Sequence, residues 1–341
     1  MKARIFGAGS IGNHLSFALR SLKIDVEVVD IDKDALLRMK NSIYPSRYGT
    51  WDSNINLSLS PSDNLVDLEI IGTPPDTHAD ILKERIKKDK SRIWLVEKPF
   101  IVPDNNLCDE LSDFIEKSNA KVFCGYNHSL SPAFQSLVEH LKSDNEIKLI
   151  DAYWLEHWGG IFNAHPWLEG PSSSYLGYSR RGGGAFMEHS HGIHLALALC
   201  NIKNDFRDFS FPKLISSNSF FDISESYDQS SQLVFEDFEG TIIRYTTDVL
   251  TKNVNKSIRV ETSKALYQLS FAVNNGQSDS LRIISKDKEK NLNYPRSRRL
   301  DFEHEVKFLK NCLIKKDFSN LSIIDWRLAL HISRIGNQIL N

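Results

Sequence analysis

Cysteine is scarce: Cys108, Cys124, Cys200 and Cys312 are the only four in 341 residues, and none shares a C-x-x-C spacing. That excludes a disulfide framework and a thiolate zinc site, and it suits reduced thiols in a cytoplasmic protein. Neither sign of charge predominates, with 42 Lys plus Arg against 44 Asp plus Glu. The chain therefore has no net field with which to gather nucleic acid or an anionic membrane. The longest basic run, "KERIKKDKSR" at residues 83–92, is broken by acids and reads as a solvated helix end. No apolar stretch approaches the roughly 18 residues of a membrane span. Internal repeats and low-complexity tracts are also missing. The opening "MKARIFGAGSIG" enters a strand and a glycine turn at once, which leaves no room for a signal peptide. The expected partner is a small molecule.

A chain of 341 residues is long enough for about two cores. The first is read over residues 1–125. There "KARIFGAGSIGNHLSFALRSL" reads as strand, G-x-G-x-x-G turn and helix, with Gly7, Gly9 and Gly12 as the motif glycines. Glycines in that position allow a tight turn, close approach of a pyrophosphate and close packing of helix on strand. The helix N-terminus then offers unpaired N–H groups to phosphate, so Gly7, Gly9, Ser10, Ile11 and Gly12 are expected to hold a dinucleotide. A second strand, "DVEVVDID", delivers Asp30 about 20 residues on, where an acid holds the adenosine ribose hydroxyls. A carboxylate there repels a 2'-phosphate, so NAD is expected over NADP.

Two more strands run into turns, "DLEIIGTPPDTHADIL" and "RIWLVEKPF". In a doubly wound sheet ligands sit beyond the carboxyl ends of the strands. Thr73, Pro74, His78, Glu97 and Lys98 are accordingly expected at the cofactor, with Lys98 a cation on a rigid strand tip. "KVFCGYNHSLSP" closes this domain, and its Asn127 and His128 are expected to face the cleft.

Taken in order, "GAGSIG", "IGTPPDTHAD", "EKPF", "GYNHSLSP" and "GGGAFMEHSHGIH" make the chain resemble the Gfo/Idh/MocA oxidoreductases, the glucose-fructose oxidoreductase and inositol dehydrogenase type. The resemblance covers most of residues 1–200. It implies a nicotinamide-dependent hydride transfer at a sugar or cyclitol carbon, with the E-K-P lysine, Lys98, on the proton side and the helix histidine, His191, as base. It also implies a homodimer or homotetramer. Where many members carry an Asp before that histidine and another three residues after it, this chain has Glu188 and His194.

Residues 126–341 read as the second domain. After the helix "AFQSLVEHLKS", the segments "IKLIDAYWLEHWG", "KLISSNSFF", "SQLVFED", "GTIIRYTTD", "SIRVETS", "ALYQLSF" and "SLRIISK" are strand candidates joined by short turns. Their order predicts a large, mainly antiparallel open-faced sheet in an α+β domain behind the α/β Rossmann domain. Two amphipathic helices follow, "FEHEVKFLKNCL" and "SIIDWRLALHISRIGNQIL", and the last is expected to pack back on the first domain.

"RRGGGAFMEHSHGIHLALALC" carries four acid or imidazole side chains in seven residues. Gly182 to Gly184 read as a flexible lead and Ala185 onward as one helix, which would stack Glu188, His191 and His194 on one face. Three uses compete: buried core histidines, metal ligands, or acid and base. The spacing lacks the i, i+4 pair of H-E-x-x-H, so no metal is expected. As acid and base, His191 is expected to accept the hydroxyl proton as hydride leaves carbon, since an imidazole ordinarily has a pKa near 6.5, with Lys98 stabilising the alkoxide and Glu188 the carboxylate one turn away.

Between them "NAHPWLEGPSSSYLGYSRR" has too many Pro, Gly and Ser for regular structure and reads as a loop over the site. Asn127, His165, Trp167, Arg181 and His194 are the expected substrate contacts, suited to a sugar ring and, through arginine, to a carboxylate or phosphate on it. Trp154 and Trp158 serve equally as sugar platforms or as core. Two further uses of the same site stay open. One is an NAD-assisted epimerase, eliminase or glycosidase with no net redox; the other is a non-catalytic NAD-binding sensor.

Overall fold

The structure, a computed structural model, describes residues 1–144, 146–163, 165–204, 206, 209–221 and 226–340. Contacts divide the chain into two units, one of Met1–Ile101, Asn106–Asn127 and Arg298–Trp326, the other of Val102–Asn105, His128–Ser297 and Arg327–Asn341. The helix Arg298–Lys315 belongs to the first unit.

The first unit holds a parallel sheet of β1 (Lys2–Phe6), β2 (Asp25–Val29), β3 (Ile55–Ser58), β4 (Val66–Ile71), β5 (Ser91–Val96) and β6 (Val122–Cys124), in the order β3-β2-β1-β4-β5-β6. This is the dinucleotide-binding order, in which the sheet reverses direction of build between β1 and β4. β1, β4 and β5 are apolar along most of their length and buried, as strands covered on both faces must be. β3 was not among the expected strands. It has four residues and pairs only with β2 at the sheet edge, so little of it needs to be apolar.

One charged cluster binds three strands just before their turns. The Glu69 carboxylate accepts from Arg4 Nη1 at 2.7 Å, from Arg85 Nη2 at 2.7 Å and from Trp94 Nε1 at 3.1 Å. Glu27 takes Arg4 Nε at 2.6 Å. Buried charges survive only when paired and hydrogen-bonded in this way.

The second unit holds β7 (Ile147–Leu155), β8 (Lys213–Phe221), β9 (Asp228–Glu236), β10 (Ile242–Asp248), β11 (Asn255–Thr262), β12 (Ala265–Ala272), β13 (Ser278–Ser285) and β14 (Lys288–Pro295). Their order is β14-β13-β12-β11-β7-β10-β9-β8, antiparallel except for the parallel pair β7 and β10. The expected sheet thus forms, with one strand more. β14, "KEKNLNYP", is an almost wholly exposed edge strand and carries no apolar run to betray it.

Along β7 the side chains alternate. Ile150, Ala152 and Trp154 are buried, while Asp151 points to the other face and is held by Arg244 and Arg259 from the flanking strands. Against the buried face lies the segment read above as one helix. It is two: Gly184–Glu188 and His191–Leu199, separated by His189 and Ser190. The break has a physical cause. The Tyr245 hydroxyl donates to the His189 carbonyl at 2.8 Å, and Gly192 N donates to the same oxygen in a tightened turn. Glu188 is therefore not stacked with His191 and His194 on a single straight helix.

The glycine lead is also firmer than expected. Gly182 and Gly184 have φ of +87° and +83°, and a Cβ on Gly184 would meet Asp228 Oδ1 at 2.1 Å. All four cysteines are free, and no helix of the described residues is long and apolar enough to cross a membrane.

Candidate active site

In the first unit the glycine turn leaves β1 and enters helix Ser10–Ser21. Its three glycines do different things. A Cβ on Gly12 would lie 2.1 Å from Gly7 O, so Gly12 is where helix and turn touch. Gly7, at φ +105°, presses on the turn after β4, since a Cβ would lie 2.7 Å from Gly72 O. Gly9 has nothing within 4 Å of its added Cβ. That open side, at the N-cap of a 12-residue helix, is where a phosphate can approach main-chain N–H groups.

Asp30 stands at the end of β2 as expected. Its carboxylate accepts from Ala8 N at 2.7 Å and from Asp32 N at 2.9 Å, which ties it to the glycine turn and leaves acceptor capacity for two hydroxyls. Arg47, which no spacing in the sequence signals, reaches the same helix end. Its Nη1 lies 3.1 Å from Ser10 Oγ and 3.2 Å from His14 Nε2. The residues present thus fit a dinucleotide: an open glycine, a helix N-terminus with a cation beside it, and an anchored acid.

The turn after β4 places Pro74 in the open and Thr73 half-buried, with Thr77 Oγ1 donating to Thr73 Oγ1 at 2.7 Å. His78 departs from its expected role. It is buried, with Nε2 2.7 Å from Thr73 O and Nδ1 3.1 Å from both Pro99 O and Phe100 O, so it braces the two turns against each other. Burial lowers its pKa against the pull of those three carbonyls.

The turn after β5 carries Glu97 and a half-buried Lys98. Glu97 is buried, and burial pushes its carboxyl up to about 7 although the Lys98 charge pulls it down. Glu305, from helix Arg298–Lys315, is fully buried as well and raised by burial and by Glu97. The same helix stacks Phe302 on His14 with centroids 4.9 Å apart. Asn127 lies buried at the end of this unit.

In the second unit the two-helix segment is pinned at its start by Asp228, another residue without a sequence signal. Its carboxylate accepts from Phe186 N at 2.8 Å and from Ser231 Oγ at 2.9 Å. Burial raises Asp228 to about 6 against those hydrogen bonds. Gly192 lets the second helix settle on the sheet, because a Cβ there would meet Tyr245 Cε2 at 2.7 Å and Trp154 Cβ at 3.1 Å. His191, at the helix start, is half-buried, as is Glu188. Its ring lies 4.4 Å from that of His128 and 5.7 Å from that of Trp154, centroid to centroid.

His194 is fully buried, where a substrate contact calls for an accessible side chain. Trp154 and Trp158 are core: Trp158 belongs to a cluster with Ile161, Leu176, Ala185, Tyr227 and Val249. The segment expected as an irregular loop, 163–181, follows the short helix Trp158–Asn163 and carries the single turns Pro171–Ser173, Tyr175–Gly177 and Ser179–Arg181, with Leu168, Tyr175 and Leu176 packed in that cluster. His165 and Trp167 pair edge to face at 5.3 Å on it and stay half-buried. Arg181 is exposed, with its guanidinium 6.0 Å from the Tyr178 ring. Among the described residues no group of three or more His, Cys, Asp or Glu side chains is arranged to hold a metal.

No family profile matches the chain, and no curated protein matches it by sequence. Solved structures do. UDP-N-acetylglucosamine 3-dehydrogenase GnnA from Acidithiobacillus ferrooxidans matches with a TM-score of 0.72 at 14% identity, over 99% of this chain and 96% of that one. KijD10, a 3-ketoreductase from Actinomadura kijaniata in complex with NADP and TDP-benzene, matches at 0.71 and 12% identity, over 99% and 96%. A protein from Erwinia carotovora atroseptica matches at 0.74 and 12% identity, over 100% and 99%. The likeness is one of fold. It extends over both units of the chain, the parallel sheet and the large mainly antiparallel one alike.

Proposed function

We propose that the protein is a nicotinamide-dependent oxidoreductase that moves a hydride between the cofactor and a hydroxyl or keto carbon of a sugar, nucleotide-sugar or cyclitol derivative. The observation that carries the reading is the glycine turn: Gly7 and Gly12 are packed shut, Gly9 is open, and Asp30 is anchored beside them by Ala8 N. The names of two similar structures, a dehydrogenase of a UDP-sugar and a 3-ketoreductase bound to a TDP compound, support the sugar class. Asp30 favours NAD over NADP, because a carboxylate repels a 2'-phosphate.

The bound nicotinamide supplies a hydride acceptor or donor. The protein's part is proton handling and charge. An imidazole nitrogen of His191 accepts the hydroxyl proton as the carbonyl forms, and the Lys98 ammonium stabilises the developing alkoxide. Glu188 is the nearby carboxylate in sequence, while burial pushes Glu97, next to Lys98 in the chain, up to about 7 and raises Glu305 as well. Run backwards, the same groups reduce a ketone. The protein is expected to work as a homodimer or homotetramer.

Absorbance of reduced nicotinamide is the test, read over a panel of UDP- and TDP-sugars, free sugars and inositols with NAD and with NADP. His191→Ala is expected to lower turnover by about 10²- to 10⁴-fold while NAD affinity is kept. Full turnover in that variant overturns the role of His191. Products that form without net change in NAD would instead favour transient oxidation.

A further inference from the structure

Two helices of the first unit run side by side in the same direction, an arrangement that is costly unless something negative meets it. The register of helix Ser10–Ser21 against helix Arg298–Lys315 is set at two points. Phe302 stacks on His14 with centroids 4.9 Å apart, and eight residues further along each chain the Lys310 ammonium donates to the Leu22 carbonyl at 3.0 Å. Arg299 lies over the Phe17 ring at 4.7 Å. His14 and Phe302 are each the fifth residue of their helix, so the two N-termini stand together.

Each N-terminus carries the positive end of a helix dipole, which favours anions and disfavours cations. Cations are nevertheless there. Arg47 Nη1 lies 3.1 Å from Ser10 Oγ and 3.2 Å from His14 Nε2, and Arg298 is the first residue of its own helix. Asp301 sits in the first turn of that helix, and Arg299 is paired with Glu303 at 2.8 Å. Arg298 is exposed; its guanidinium lies 5.5 Å from the Phe302 centroid and makes no hydrogen bond or ion pair among the described residues.

Charge effects bring the two arginines near each other and near the strand ends. Burial lowers Arg47 from its ordinary value and the Arg298 charge lowers it further, against the pull of Tyr48. The Arg298 charge also pulls on Tyr48, which burial raises to about 12, and on Glu97 at the turn after β5, which burial raises to about 7. Arg298 is thus within reach of both the start of helix Ser10–Ser21 and the carboxyl end of the parallel sheet. One more polar group at this helix end is left open. Asn13, in the first turn, is fully buried, and neither polar atom of its side chain has a hydrogen-bond partner among the described residues. Such groups are rare unless water or a ligand completes them.

We propose that Arg47 and Arg298 form a two-sided clamp on the pyrophosphate of the dinucleotide, backed by the paired N-termini of Ser10–Ser21 and Arg298–Lys315. This rests on the reading of the glycine turn as a dinucleotide site. It gives cofactor-binding work to a stretch that follows the whole second sheet in the chain. Two phosphate charges relieve the repulsion between the arginines and answer both dipoles, so anion binding and the stability of this unit are linked.

Calorimetric titration of the full chain with NAD and with inorganic pyrophosphate, joined to thermal unfolding with and without each, is the test. Arg298→Met is expected to weaken both ligands by about tenfold, the loss of one charge-assisted hydrogen bond, and Arg298→Lys to recover most of that loss. Without ligand the unfolding midpoint of Arg298→Met should equal or exceed that of the wild type, since one of two repelling cations is gone. Arg47→Met should weaken both ligands to a similar degree. Unchanged affinity of Arg298→Met for both ligands overturns the clamp and leaves the dinucleotide reading standing. Pyrophosphate bound in an arginine-dependent way by a wild type that ignores NAD upholds the clamp and overturns that reading. A wild type that binds neither overturns both. Weakened affinity that comes with a lowered ligand-free midpoint in Arg298→Met marks a structural role and overturns the proposal as well.

Discussion

The carboxyl group of Glu97 occupies the space that a side chain would take at Gly125: a Cβ there would lie 2.7 Å from both Cδ and Oε1 of Glu97. Glu97 Oε1 and both carboxyl oxygens of Glu305 are buried without a hydrogen-bond partner. Two carboxyls so placed favour their protonated forms. Glu97 rises from its ordinary 4.5 to about 7, and Glu305 rises as well.

The sign of the pH effect follows. Both groups bind a proton more tightly folded than unfolded, so both stabilise at low pH, and the Glu97 contribution is fully present below pH 4.5 and lost as pH rises through about 7. Glu97 alone is worth on the order of 3 kcal/mol across that window. Urea unfolding at pH 5 and pH 8 should show this loss in the wild type. Glu97→Gln and Glu305→Gln should each flatten it, and an unchanged pH 5 to pH 8 difference in both would refute the carboxyl pair as its source.

The glycines of the turn should separate by assay. Gly9→Ala adds a methyl into open space, so unfolding stability should change by less than about 1 kcal/mol while NAD affinity falls at least about tenfold. Gly12→Ala drives a methyl to 2.1 Å from Gly7 O, so folding itself should suffer. Equal loss of stability in the two would contradict the distinct roles.

Asp30 should govern cofactor choice. Asp30→Ser removes the charge that repels a 2'-phosphate and should raise the ratio of kcat/KM for NADP over NAD by about tenfold or more. Because the carboxylate also caps Ala8 N and Asp32 N, a moderate loss of stability should accompany it. Steady-state kinetics with both cofactors decides; a ratio that stays the same removes Asp30 from this role.

Glu69→Ala should be among the most damaging single changes away from the site. It strands the nearly buried Arg85 and the Trp94 indole, and leaves the buried Arg4 with Glu27 as its one carboxylate. Breaking a buried pair costs roughly 3–5 kcal/mol. Thermal unfolding measures it, and a stability within about 1 kcal/mol of wild type would show that the arginines find other partners.

Local patterns were the legible part of the chain. β1, the glycine turn, the helix and Asp30 follow each other within thirty residues, and each requires the next. Most strands of the second sheet announce themselves by apolar alternation, and the edge strands β6 and β8 were legible too, while β3 is only four residues long and β14 is almost wholly exposed, so neither carries an apolar run. What stayed hidden depends on contacts far apart in sequence. The helix break at His189 is made by Tyr245, 56 residues on, and the pin on Phe186 by Asp228. Arg47 meets Ser10 from 37 residues away. His78 looked like a ligand because it sits one turn from a strand end, but two of the three carbonyls that enclose it come from the next strand's turn.

The first unit is not finished when its sheet is. Its last piece, Arg298–Trp326, supplies the Phe302 ring on His14, the Lys310 ammonium on the Leu22 carbonyl at 3.0 Å, and Glu305 beside Glu97. During synthesis at about 5–20 residues per second the helix Ser10–Ser21 must therefore wait some tens of seconds for the helix that packs on it. A ribosome stalled anywhere in the second sheet leaves His14 without Phe302 and the Leu22 carbonyl without Lys310, and a fragment ending at residue 127 lacks both contacts for good.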